Sequence, residues 1–191
     1  MKKSDKRGDV MQAALELIAE QGFHGAPMAE IAEKAGVAAG TIYRYFESKD
    51  VLINELHREL EDKIMAALQE SYPAGRPVRE RFLYLLSELL RYFITNPLHF
   101  RYMEQYSNSP YGISMHRDRL LDKSGNPDIL MDIFEQGIEQ QVLKDFPKAV
   151  LFSLAFGPLI SLMRDHILGF IALEEALIKK ITEACWDAIK R

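Results

Sequence analysis

A chain of 191 residues, 48 % of them hydrophobic, can pack one large domain or a small domain beside a medium one, which excludes a disordered polymer. Its formal net charge of −4 excludes a surface that is basic throughout, so any nucleic-acid-binding face must be local. The single cysteine, Cys185, cannot form an intramolecular disulfide, and the basic start MKKSDKRGDV lacks the apolar run of a signal peptide. The most apolar stretch, Ala149 to Met163, is interrupted by Ser153, Gly157, Pro158 and Ser161, so a buried helix explains it better than a membrane span. The expected setting is the cytoplasm.

The spacing predicts an all-α chain of about nine helices. Val10, Met11, Ala14, Leu15, Leu17 and Ile18 make the stripe of a first helix, which Gly22 stops. A short helix is expected from Pro27 to about Ala35, with proline at its first position and Gly36 after its end. A second short helix should run from about Ala39 to Tyr45. Ser48 is a good N-cap for the next, with Asp50 in its first turn; Leu52, Leu56, Leu60, Ile64 and Leu68 carry it to about Glu70. After the break SYPAGRP, further helices are expected at about 78–95, 97–106, 127–142, 147–170 and 173–190. Residues 107–127 are loop-like at both ends, with room for one short helix between.

A long helix followed by two short ones across a glycine turn is the helix-turn-helix layout. In the second short helix Ile42 and Phe46, four apart, suit the buried side with Val37, which leaves Thr41, Tyr43, Arg44 and Tyr45 to face outward. Hydroxyls donate to phosphate oxygens, and a guanidinium can read guanine in the major groove. Ala39 and Gly40 are small enough for a close approach, and Lys49 opens the next helix. Each also has a plainer reading: Tyr43 and Tyr45 as packing aromatics, Arg44 as a solvated side chain. The cluster Lys2, Lys3, Lys6 and Arg7 is either a DNA-contacting arm or a tail without a role.

Phe23, Ile31-Ala32, Ala35-Gly36-Val37, Gly40-Thr41-Ile42-Tyr43, Tyr45-Phe46, Ser48-Lys49 and Leu52 together resemble the signature of the TetR family. The resemblance implies a recognition helix at Ala39–Tyr45, a homodimer on a pseudo-palindromic operator, and release of DNA when a small molecule enters the C-terminal domain. It carries Thr41, Tyr43, Tyr45 and Lys49 over as backbone contacts. Ala26-Pro27 and Ala38 stand where the family often has Ser or Thr, so no hydroxyl contact carries over there, and Ala39 replaces what is often a longer polar side chain. DNA contacts are therefore expected from Lys6, Ala39, Gly40, Thr41, Tyr43, Arg44, Tyr45 and Lys49. Residues 1–50 form the DNA-binding domain, residues 51–191 the ligand-binding and dimerisation domain, and the helix from 48 to 70 links them.

The helix at 147–170 is apolar nearly all round, with Val150, Phe152, Leu154, Phe156, Leu159, Ile160 and Met163, and must be buried on two sides. Leu177, Ile181, Ala184, Cys185, Ala188 and Ile189 stripe the last helix. As the resemblance implies, the two helices would pair with a second copy, with Phe152, Leu159, Leu177, Ile181, Cys185 and Ile189 at the interface; the alternative is a thick intramolecular core. Phe93, Phe100, Met103, Tyr106, Met131, Phe134, Phe156 and Met163 are candidates to line a largely apolar ligand pocket, with Tyr92, Tyr102 and Met115 nearby in sequence, or they are plain core. Polar candidates are His99, Arg101, Glu104, Gln105, His116, Arg164 and His166.

No HExxH pair, GK[ST] phosphate loop or G-x-S-x-G elbow occurs, so neither an enzyme, a cofactor nor a metal is expected. The competing class is a protein-binding helical module with a degenerate helix-turn-helix. Repressor and activator are not distinguishable at this level.

Overall fold

The computed structural model describes residues 5–120 and 129–191, without the side chains of 115, 116 and 118–120. Lys2, Lys3, Met115 and His116 thus lie outside what is described. Among the described residues ten helices follow one another: α1 Lys6–Gln21, α2 Met28–Lys34, α3 Ala39–Ile42, α4 Lys49–Gln69, α5 Val78–Thr95, α6 Pro97–Ser107, α7 Pro110–Leu120, α8 Ile129–Glu139, α9 Lys148–Ile167 and α10 Glu175–Ile189. The tenth is α7, for which the sequence left room. Proline opens it, and the buried Ser109 hydroxyl donates to the Tyr106 carbonyl (2.6 Å) at the end of α6.

Helix ends follow local chemistry. The Asp5 carboxylate accepts from the Gly8 N–H (3.1 Å) and caps α1, and Ser48 Oγ accepts from the Val51 N–H (3.2 Å) and caps α4. α3 stops earlier than its apolar spacing suggests. The N–H groups of Arg44 and Tyr45 reach back three residues, to Thr41 and Ile42, so the helix tightens into a turn. α8 ends before Gln141, whose φ of 58° is left-handed. α9 ends at Gly169 (φ 78°), where the Phe170 N–H closes onto the Asp165 carbonyl (2.9 Å).

By compactness the chain forms two units, cut elsewhere than at residue 50. The first joins residues up to Lys63 with Asn96–Arg117; the second joins Ile64–Thr95 with Asp118–Arg191. In the first, Val10, Ala14, Ile18, Ile31, Ile42, Phe46, Leu52 and Leu60 form the core, which Tyr102 and Tyr106 of α6 complete. The Tyr102 hydroxyl donates to the Ile53 carbonyl (2.7 Å), so a buried phenol keeps its partner.

In the second unit α5 packs on α8, α9 and α10. Phe82 meets Trp186 (5.5 Å between ring centroids), and Phe134 stands edge-on to Phe156 (6.3 Å). The C-terminus is tied back: the Lys144 N–H donates to the Ile189 carbonyl and the Arg191 N–H to that of Val142. Arg91 forms a two-pronged pair with Glu175 (2.7 and 2.8 Å). α9 has the length and hydropathy of a bilayer-spanning helix, yet Leu151, Ala155, Phe156, Leu159 and Met163 bury one face of it.

Candidate nucleic-acid interface

The α2–α3 turn is set by Gly36, whose φ of 66° is costly for any residue with a Cβ. Its N–H bonds the Glu33 carbonyl and that of Val37 bonds Ala32, which closes α2 and launches α3. Ile42 and Phe46 are fully buried, as their spacing requires. What they leave outside is a coherent face. Ala39, Gly40 and Arg44 are exposed, Thr41 is half-buried, and Tyr43 and Tyr45 are 57 % and 42 % exposed. The side chains of Tyr43, Arg44 and Tyr45 make no hydrogen bond, ion pair or ring contact among the described residues. A Cβ at Gly40 would meet nothing within 4 Å, so packing does not demand glycine there.

Lys49 lies differently. It is half-buried, and its ammonium donates to the Phe23 carbonyl in the turn between α1 and α2. Burial holds its pKa below the usual lysine value, only partly offset by the charge of Asp50. One bond to Phe23 leaves two of its three donors for another acceptor.

The basic start divides in the same way. Lys6 is exposed. Arg7 is engaged inward: it bonds Glu55 (2.7 Å), stands 3.6 Å from Glu59, and lies over the Phe46 ring (5.4 Å). It ties the start of α1 to α4.

Sequence reasoning missed an aromatic chain behind this face. Phe23 meets Tyr102 (6.1 Å) and Tyr111 (5.7 Å) edge-on, Tyr106 stacks on His57 (3.7 Å), and the Tyr111 hydroxyl donates to Asp50 in the first turn of α4. Phe23 and Asp50 were visible as motif and first-turn residues; Tyr111 sits in SNSPYG, where only turn chemistry could be read.

The candidate ligand residues fall in both units. Phe100, Met103 and Tyr106 belong to the first, where Tyr106 also bonds Asn54 (3.1 Å). Phe93, Met131, Phe134, Phe156 and Met163 belong to the second; Phe134, Phe156 and Met163 are buried, Phe93 and Met131 half-buried. Among the candidate interface residues Leu159, Cys185 and Ile189 are buried against their own chain, Phe152 and Ile181 are half-buried, and Leu177 is exposed. Val150 and Ile160 of α9 and Leu177 of α10 are exposed, and α10 carries a shallow groove lined by Ala176, Lys179, Lys180, Glu183, Ala184 and Asp187. Burial pushes the Cys185 thiol up to about 11, which keeps it protonated and unreactive at neutral pH.

Residues 10–56 match the bacterial regulatory proteins of the tetR family, and residues 77–190 match the tetracyclin repressor-like C-terminal domain. A helix-turn-helix transcriptional regulator of Haemophilus influenzae is 25 % identical over 191 residues, covering 99 % of this chain and 98 % of that one. The solved structure of a TetR-family regulator from Vibrio parahaemolyticus superposes with a TM-score of 0.77 at 32 % identity, over 98 % of this chain and 99 % of that one. The transcriptional repressor KstR of Rhodococcus jostii is 35 % identical over 97 residues, half of this chain and 44 % of KstR. The relatives are regulators of transcription rather than enzymes, and with both of its parts matched this chain belongs to the TetR family of DNA-binding transcriptional regulators.

Proposed function

We propose that the protein is a cytoplasmic repressor that binds a pseudo-palindromic operator as a homodimer and leaves it when a small, largely apolar ligand binds the C-terminal domain. The observation that carries the DNA-binding part is the outer face of α3 and the turn after it: three large side chains, Tyr43, Arg44 and Tyr45, stand exposed together without a partner among the described residues. Glycine at 40 costs a helix about 1 kcal/mol relative to alanine and gains no packing there, which fits a surface that something approaches closely. Thr41, Tyr43, Tyr45, Lys49 and Lys6 are assigned to phosphates, and Arg44 to a base edge. The repressor reading is supported by the likeness to KstR.

A homodimer is supported by Val150, Ile160 and Leu177, exposed apolar side chains of α9 and α10. On α10 itself, exposed Lys180 and Asp187 keep the helix too charged for lipid, which favours a second copy of the chain as the cover. In such a dimer each recognition helix enters a major groove about 34–36 Å from the other. The ligand acts only through different affinities for the DNA-bound and free states, so equal affinity for both would overturn the induction mechanism.

The test is selection of binding sites from random duplex DNA at two salt concentrations, with a Tyr43→Ala, Lys49→Ala double variant beside the unaltered protein. The expected result is an enriched inverted repeat, weakened by salt and lost in the variant. No enrichment, or equal weak binding by both proteins, points to a protein-interaction module or to a protein purified with bound inducer, and ligand extraction then separates the two.

A further inference from the structure

Three segments far apart in sequence close a ring at the start of α4. The Lys49 ammonium donates to the Phe23 carbonyl, 26 residues away; the Phe23 ring stands edge-on to Tyr111 of α7 (5.7 Å, 64°); and the Tyr111 hydroxyl donates to the carboxylate of Asp50, 61 residues away and next in sequence to Lys49. Tyr111 also stacks on Tyr106 (6.0 Å) of α6, so the ring is anchored in the first unit's core. Its position is imposed by Gly112. A Cβ at that residue would lie 2.2 Å from the Tyr106 carbonyl oxygen and 2.6 Å from Ser107 Cα, so only glycine lets the first turn of α7 sit this close to the end of α6.

Each link constrains the next. Lysine is a flexible point charge that loses much rotamer freedom when it is aimed at one phosphate. Here the Phe23 carbonyl already restricts it, and Tyr111 acts on both sides, through the ring of Phe23 and through the neighbouring Asp50. A freed Asp50 carboxylate would be an alternative partner for the Lys49 ammonium and would draw it from DNA. With the Tyr111 hydroxyl on it, one oxygen of the carboxylate is engaged and the group is held toward α7.

We propose that Tyr111 is a positioning residue for operator binding: α7, through this one hydroxyl and ring, holds Lys49 where it meets the phosphate backbone. The inference rests on the reading of Lys49 as a phosphate contact. It makes operator affinity depend on where α7 lies, although no residue of α7 need touch DNA.

The test measures operator affinity against salt for the full-length protein, on the inverted repeat recovered by selection, with Tyr111→Phe, Lys49→Ala and the double variant. Tyr111→Phe removes only the hydroxyl, and its urea midpoint serves as the check that the fold is intact. Each phosphate contact contributes about 0.9 to the slope of log affinity against log salt. Lys49→Ala is expected to lower the slope by about that amount per subunit. Tyr111→Phe should weaken binding by about 3- to 10-fold, lower the slope in the same direction, and add nothing further in the Lys49→Ala background. Equal affinity and slope for Tyr111→Phe, or losses that add in the double variant, overturn the inference while a slope loss in Lys49→Ala keeps the phosphate contact. An unchanged slope in Lys49→Ala overturns both.

Discussion

The helix-turn-helix of the first unit buries its apolar stripes almost completely and leaves outside a face of hydroxyls, phenols and a guanidinium, with Ile113 of α7 the unit's exposed aliphatic side chain; the second unit leaves several apolar side chains outside. In the first, Ile42 and Phe46 are fully buried while Tyr43 and Tyr45, one residue along from Ile42 and one before Phe46, are 57 % and 42 % exposed. In the second, Leu151 and Ala155 are fully buried, while Val150 and Ile160 on the same helix are 41 % and 43 % exposed. A short helix and the turn after it, held by two buried anchors, have only one way to face, so the residues they turn outward follow from spacing alone. A helix apolar nearly all round has no such internal reference, and its outward residues are known only once its neighbours are placed.

The largest effect that sharpens this contrast comes from the same substitution in each unit. Gly112→Ala pushes a Cβ against backbone, 2.2 Å from the Tyr106 oxygen, which cannot move without shifting the α6–α7 junction. We expect a loss of roughly 1–3 kcal/mol, at the upper end of that range, in urea unfolding. Gly137→Ala in α8 meets a buried side chain instead of backbone, Leu143 Cδ1 at 2.5 Å and Cγ at 2.6 Å, which a change of rotamer can move, and alanine favours the helix. Its loss should be less than half as large. Equal losses would show that the α6–α7 junction is no more rigid than a side-chain contact.

The same contrast governs what was legible in the sequence. The stripe of α1, the anchors Ile42 and Phe46, the Ser48 cap and the Leu52 to Leu68 series all follow from spacing that one helix carries by itself. The early end of α3 was not legible, because three-residue hydrogen bonds leave no mark on apolar spacing. Nor was the inward turn of Arg7, since Glu55 and Glu59 come beside it only through folding. On α9 and α10 the apolar pattern includes both Leu159, Cys185 and Ile189, which face the chain's own core, and Val150, Ile160 and Leu177, which do not. Tyr111 gave no signal, because its role is made by Phe23 and Asp50, far away along the chain.

Alkaline pH offers a second, smaller lever. Its hydrogen bond to Asp50, with burial adding to it, raises Tyr111 from an ordinary 10.0 to about 12, and burial raises Tyr102 and Tyr106 as well. The protonated phenol is thus favoured in the folded state. The stabilisation is fully present below about pH 10, where the unfolded chain is also protonated, and is lost as pH rises toward 12. In the second unit the matching groups are Cys185, raised from 9.0 to about 11, and Tyr92, raised by burial. Urea midpoints should therefore fall from about pH 9 upward, and Tyr111→Phe should make the decline shallower. A Tyr111→Phe profile parallel to that of the unaltered protein would mean that the Asp50 bond does not survive in solution.

The smallest expected effect concerns the charge that the second unit does bury. Arg81 is only 6 % exposed, yet its guanidinium is poorly compensated. Nη2 bonds the Gln136 side-chain oxygen (2.6 Å), Nη1 reaches the Tyr72 hydroxyl at 3.5 Å, and Nε has no partner. The nearest carboxylate, Asp132, stands 3.9 Å off, is 55 % exposed, and takes a 2.7 Å bond from Gln136 instead. Burying a cation costs several kcal/mol, and a pair this long recovers little of it. Arg81→Met keeps the length of the side chain and removes the charge. Asp132 is already solvated and keeps its bond from Gln136, so the cost is the one donor lost by the half-buried Gln136 oxygen. The variant should lie within about 1 kcal/mol of the unaltered protein in urea unfolding, on either side of it. A loss well above that would mean that the guanidinium is held by more than these three contacts, and that the second unit, like the first, relies on a polar network to fix its packing.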